Sequence, residues 1–471
     1  MSVSKLMAEA ECNFEATISL QEKIYSLDSL NLKSVLKYIL TSGFVINRES
    51  FSILLKCIDY AFAFRPLSSS FYIEIIKSLS DKIQMYFSSY DLFTDLIQSN
   101  YLRYKFYELG FINISTIICY LKERKNDVDL FFFFAFEVKA HSPDLYLSYT
   151  CQSYEFRKYL NTITPEQHSI YRSSGLNQDK LAFLIRSNDA VGFQSYHSST
   201  NINLDQRLTS YYEECRFSEK QLSLIEYAAF FGAIDVFKYL ILNNATLSAN
   251  LPKFAVIGGN YEIIHILEQN GLKFNDTMAL NTAIKYHRND IVEYIKDSLG
   301  VDYTIKSLKK SLKYYNLPIF IEIMKRYEKI PDFGIYNGNV IVYSCKCGYI
   351  DIVKIFSKLL ENSEDKNKLL KMAVSNRRFD VFMTLHSIVT EEEREKINYS
   401  SLFLDAALKG HLSIFQYLIQ FIDQNYFEIF DDAKNSILSL AAIYGDLDFV
   451  KYIISLGPTV SQLNHRNIYG V

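Results

Sequence analysis

No stretch of this sequence is apolar for long enough to cross a bilayer. Its most apolar run, LFFFFAFEV at residues 130–138, falls far short of the roughly 20 residues a helical span needs. The N-terminus, MSVSKLMAEAECNFEA, places acids where a signal peptide needs an apolar segment. A cytoplasmic location is expected, with the nucleus as the alternative and no membrane association. Net charge is scarce as well: 50 Lys and Arg stand against 53 Asp and Glu. A dedicated nucleic-acid binder shows a strongly basic face, so nucleic acid is the less favoured partner. Cysteine is sparse, odd in number at seven, and scattered, which reads as reduced thiols rather than a disulfide framework. Tryptophan is absent, and nothing in the physics of the chain accounts for that. With 49% hydrophobic and 22% charged residues, disorder is excluded.

What is present is helical periodicity. Leu32, Val35, Leu36, Ile39 and Leu40 form one apolar stripe, closed by Gly43. Ile53, Leu54, Cys57, Ile58 and Ala61 form a second, and Tyr72, Ile75, Ile76 and Leu79 a third. The phenylalanines at 131–136 fit a buried helix better than a strand. No alternating series with hairpin turns appears, so residues 1–172 are expected to be an all-α domain packed as an N-terminal cap. The turn-rich SSGLNQ at 173–178 marks the boundary.

Beyond it one pattern returns. In residues 223–245, SLIEYAAFFGAIDVFKYLILNNA, Ser223 stands at a helix start, Ala228 and Ala229 are paired small residues, and Gly232 breaks the helix. Asp235 then opens a second apolar run that Asn244 closes. The same order, small residue then turn four positions on, recurs at Ala255 and Gly259, Ala283 and His287, Ser311 and Tyr315, and Ser344 and Gly348. It recurs again at Ala373 and Arg377, Ala406 and Gly410, and Ala441 and Gly445. Successive anchors lie 27 to 35 residues apart, the signature of a solenoid. An isolated first unit fits with Ala182, Arg186 and Asp189, separated by an insert near 195–219 that reads as a loop or irregular helix. That gives about nine repeats over residues 173–471, with the N-terminal cap expected on the first of them.

These helix pairs resemble the ankyrin repeat, and more closely the divergent short-repeat ankyrin families expanded in unicellular protists. The family's Thr-Pro-Leu-His is missing: its positions begin with Ser223, Ser401 and Ser436. Periods of 27 and 28 leave little room for the family's β-hairpin finger, so the expected fold is an all-α solenoid with short or missing fingers. A truncated finger is expected at 458–471, where Asn464, Asn467 and Gly470 match its spacing. No further helix pair follows within the sequence, so the final apolar helix is expected to need cover, for instance by self-association.

No catalytic motif accompanies the repeats: there is neither Gly-x4-Gly-Lys nor His-Glu-x-x-His. In frame, Gly259 is a turn, Cys345 replaces an alanine without a second cysteine pair nearby, and His287 occupies a turn position. No catalytic residue, metal or cofactor is expected. The resemblance implies protein binding through the two residues after each small pair, on the concave side. Those are Phe230 and Phe231, Ile257, Lys285 and Tyr286, Lys313 and Tyr314, Lys346 and Cys347, Ser375 and Asn376, Leu408 and Lys409, and Ile443 and Tyr444. Aromatics suit interface centres, and Tyr286, Tyr314 and Tyr444 are expected to be exposed. The lysines suit an acidic partner segment. The function expected is a non-catalytic scaffold or adaptor. The alternative is a regulatory subunit or enzyme with an unrecognised activity in the N-terminal domain.

Overall fold

The computed structural model describes residues 3–124, 126–152, 154–213, 221–332, 339–360, 363–422, 425–444 and 447–470. Gly445 lies outside them, and so does the side chain of Tyr444. The chain is all-α. Among the described residues the only paired strands are β1 (Arg207–Thr209) and β2 (Gln221–Ser223), which run antiparallel.

Among the described residues nine helix pairs stack in chain order. Repeat 1 is Lys180–Arg186 with Ala190–Thr200, repeat 2 Leu224–Phe231 with Ile234–Leu242, and repeat 3 Leu251–Gly258 with Tyr261–Gln269. Repeat 4 is Thr277–Lys285 with Asn289–Asp297, repeat 5 Ile305–Lys313 with Leu317–Met324, and repeat 6 Val340–Cys347 with Ile350–Phe356. Repeats 7, 8 and 9 are Ser363–Ser375 with Phe379–Ser387, Tyr399–Leu408 with Leu412–Leu418, and Ile437–Tyr444 with Leu447–Ser455. First helices pack on first helices through the small anchors, which are fully buried at Ala228, Ala255, Ala283, Ser311, Ser344, Ala373, Ala406 and Ala441.

The local chemistry follows the sequence. At Ser223 the hydroxyl accepts the Glu226 N–H while the Glu226 carboxylate accepts the Ser223 N–H, a reciprocal cap. Every described turn at a frame position is left-handed: Gly232, Gly259, Gly348 and Gly410, and also His287, Tyr315 and Arg377, with φ between 53° and 76°. For the three that carry side chains this conformation costs about 1–2 kcal/mol each. The register of the stack therefore overrides residue preference. Six of these turns close by the same bond, from the residue after the turn to the anchor carbonyl: Ala233 to Ala228, Arg288 to Ala283, Asn316 to Ser311, Tyr349 to Ser344, Arg378 to Ala373 and His411 to Ala406.

The structure corrects the frame of repeat 1. Its left-handed residue is Asn188 rather than Arg186, and the closing bond runs from Asp189 to Leu184, so the anchor is Leu184 and not Ala182. Asparagine reaches this conformation more readily than arginine, and Asp189 then caps the next helix through the Gly192 N–H. The insert also differs from expectation. The helix continues to Thr200, and β1 follows after a short coil and pairs beside the start of repeat 2. In repeat 8 the helix is capped by Asn398 and begins at Tyr399, upstream of the start expected at Ser401.

The N-terminal region is helical throughout, as its periodicity requires, with the phenylalanine run split into two helices at Phe134. Its later helices lie at the start of the array, with Phe132, Tyr159 and His168 against Tyr211 and Tyr212 of the insert, and its earlier helices run on to later repeats. Helix α1 (Val3–Tyr25) lies against the second helices of repeats 5 and 6, and α3 (Arg48–Phe64) crosses the turns of repeats 4 to 7. At the other end, the segment after Gly457 forms a single helical turn, Val460–Leu463, instead of a finger hairpin. It is tied back by Asn467 to Asn435 and by His465 to the Lys434 carbonyl.

Gly258 marks a very close approach in the stack, since a Cβ there would lie 2.0 Å from the Ala229 carbonyl oxygen of the preceding repeat. Gly258→Ala, and Ala255→Leu beside it, should each cost about 1–3 kcal/mol through overpacking. Lys313→Ala, at an exposed site, should change the thermal midpoint little. Equal losses at all three would mean that the anchors are not inter-repeat contacts.

A candidate interaction surface on the repeats

Each first helix ends in carbonyls that have no partner within it, and the structure divides these between two sets of donors. One set belongs to the next repeat. In six repeats the side chain just after the turn reaches back to the preceding first helix or its turn: Asn260 to Gly232 O (3.2 Å), Arg288 to Ile257 O and Gly258 O (2.9 and 2.7 Å), and Asn316 to Ile284 O (2.9 Å). Tyr349 to Lys313 O (2.9 Å), Arg378 to Lys346 O (2.9 Å) and His411 to Arg377 O (3.2 Å) continue the series. The sequence pattern does not single out these six residues. Their identities differ, and their common property, a side-chain donor directly after the turn, is visible only once the turns are fixed.

The second set comes from the N-terminal region. Arg65 donates to Tyr286 O and His287 O (3.0 and 3.2 Å), Tyr60 to Lys313 O (2.8 Å) and Gln21 to Tyr315 O (2.7 Å). Lys56 donates to Cys347 O and Gly348 O (2.5 and 2.9 Å), and Tyr90 to Lys409 O (3.2 Å). At repeat 7 the link is ionic: Glu123 pairs with Arg377, while Arg48 and Ser52 both bond the Asp380 carboxylate. Cations at helix C-termini are favoured by the helix dipole. Lys56 is nevertheless costly to hold there: burial, and next the charge of Arg378, push it down to about 8. The turns that carry side chains grip this region too. His287 stacks on Tyr25 at 4.1 Å between centroids, and its Nε2–H donates to Tyr314 O.

The expected partner-binding row is therefore divided. Tyr286 and Tyr314, expected to be exposed, are 2% and 8% exposed, because Phe64 packs on both rings and Tyr60 on the second. Phe230 and Ile257 are buried as well, and Phe231 is half-buried against Tyr227. Lys313, Ser375, Asn376, Leu408 and Ile443 are exposed, with Lys285, Lys346, Cys347 and Lys409 half-exposed.

Charge is segregated between the two helices of the central repeats. The first helices of repeats 3 to 6 carry Lys253, Lys285, Lys306, Lys309, Lys310, Lys313 and Lys346 and no Asp or Glu. Their second helices carry Glu262, Glu268, Asp290, Glu293, Asp297, Glu322 and Asp351 against Lys296 and Lys354. Near-neutral composition thus conceals a basic first-helix face backed by an acidic one. Among the described residues no helix is long and apolar enough to cross a membrane.

A family model described as a domain of unknown function (DUF3447) matches residues 242–323, from the end of repeat 2 through repeat 5. An ankyrin repeat protein of Acanthamoeba polyphaga mimivirus is 32% identical over 73 residues, which are 15% of this chain and 17% of that protein's length. The crystal structure of the human ASB11 ankyrin repeat domain aligns over 60% of this chain and 100% of its own, at 11% identity and a TM-score of 0.19.

Two expectations arise from the buried contacts. Burial lowers His287 to about 3 and His168, beside Arg172, to about 4, from 6.5. Between those values the unfolded chain binds protons that the folded chain does not. Stability should therefore be full above pH 6.5 and fall as pH drops through that window. Denaturant midpoints between pH 7.5 and 5 should show the fall, and His287→Asn, which keeps the left-handed turn accessible, should flatten it. Separately, a chain begun at residue 173 would bare Tyr286, His287 and Tyr314. It should unfold at lower denaturant than the full chain and exchange amide protons fastest around 284–316. Unchanged protection there would show that the N-terminal region is not part of the repeat fold.

Proposed function

We propose that this chain, an ankyrin-like repeat protein, is a non-catalytic cytoplasmic scaffold that binds another protein across the first-helix face of its repeats. In this reading residues 1–172 are a helical region that braces the array and residues 173–471 present the binding face. The observation that supports it most is the division of the row. The chain itself occupies the turn edge, while Lys285, Lys313, Lys346, Ser375, Leu408 and Ile443, at one position in six successive repeats, keep contact with solvent. A continuous face of this kind, built by stacking, is what repeat proteins use for partners. The buried Tyr286 and Tyr314 support the face from beneath, and the lysines favour a partner with an acidic segment.

The reading is tested by affinity capture with the full chain and the triple variant Lys285→Glu, Lys313→Glu, Lys346→Glu. A stoichiometric protein partner should be lost with the triple variant and retained with Lys451→Glu, an exposed lysine on the second helix of repeat 9. Matched thermal midpoints would establish that all three proteins are folded. Recovery unaffected by the triple variant would move the binding surface elsewhere.

A further inference from the structure

Three ammonium groups gather on one tyrosine ring. Lys285 Nζ lies 5.3 Å from the Tyr314 ring centre, and Lys310 and Lys313 lie 5.5 Å from it. The ring cannot swing away, because Tyr60 and Phe64 of α3 pack edge-on against it at 6.4 and 5.9 Å. Like charges held this close repel. Burial, followed by the charges of Lys313 and Lys306, lowers the pKa of Lys310. Attraction to the ring offsets part of that repulsion, and an anion seated among them would offset more.

The cluster is also part of a line. Lys285, Lys313 and Lys346 occupy the same position, two residues after the anchor, in repeats 4, 5 and 6. Packed helices lie about 8–10 Å apart. A polyproline II chain advances about 3.1 Å per residue with three residues per turn, so every third side chain returns to one face after about 9 Å. A β-strand of the same reach would turn alternate members of such a series away.

Resting on the scaffold reading above, we propose that this patch binds an extended acidic protein segment in the polyproline II conformation. Asp or Glu at every third residue meets Lys285, the lysines around Tyr314, and Lys346 in turn. Single-stranded nucleic acid is the poorer fit, since it needs aromatic faces on which bases can stack, and the Tyr286 and Tyr314 rings are buried.

The test uses the full chain and fluorescent 12-residue peptides in a proline–alanine background, read by anisotropy at fixed salt. A peptide with Glu at every third position should bind at least fivefold more tightly than one of identical composition with its Glu residues contiguous. Lys313→Glu and Lys285→Glu should each weaken it at least tenfold, and Lys451→Glu less than twofold. Lys313→Met, which removes charge without reversing it, should fall between. Equal affinity for the two peptides, or an oligothymidylate that binds more tightly than either, would overturn the inference. If the peptides fail while a captured partner still depends on the row, the scaffold reading stands and this inference alone falls.

Discussion

A helix of eight or nine residues leaves about half of its carbonyls without an intrahelical partner, and this molecule stacks nine pairs built around such helices. The donor that follows six of the turns, whether Asn, Arg, Tyr or His, supplies a bond from one repeat to the previous one. Leaving a buried acceptor unsatisfied costs about 1–3 kcal/mol, so each repeat makes its predecessor's helix end tolerable. The apolar anchors bring the helices together, and the donors fix how far along they sit.

The N-terminal region completes what the next repeat leaves over. Its Arg65, Tyr60, Lys56 and Tyr90 meet carbonyls at the ends of the first helices of repeats 4, 5, 6 and 8. The apolar side of α1, including Leu6, Met7, Phe14, Leu20 and Ile24, is fully buried. The region is a structural layer of the array more than an independent module beside it. That is why Tyr286 and Tyr314 of the expected binding row lie beneath it, and why the solvent-facing part of the row consists of lysines, aliphatics and the polar Ser375 and Asn376.

The frame is legible in the sequence because small residues and turns recur together, and the spacing locates even turns whose residue is unsuited to the left-handed conformation. His287, Tyr315 and Arg377 are cases in point. Repeat 1 misleads because Ala182 looks like an anchor, whereas the better signal is Asn188 followed by the capping Asp189. The three-residue strands β1 and β2 carry too few residues to show an alternation. The docking of α3 is illegible for a different reason. It joins residues more than 200 positions apart, and it depends on backbone carbonyls, which every residue has. Charge segregation emerges only after helices have been assigned to faces, because total charge averages it away.

A lattice of near-identical repeats has a translational degeneracy: a rod laid along it can shift by one unit and find almost the same contacts. The unequal turns of this array lift that degeneracy for α3. A Cβ at Gly348 would lie 3.0 Å from Lys56 Nζ, so the lysine head sits closely over that glycine, where the turn one unit further on carries the side chain of Arg377. The stack on His287 and the ion pair at Arg377 each exist at a single site. Making the repeats more alike, for example by setting glycine at every turn, would relax the strained backbones. It would also erase the marks by which the rod finds its place.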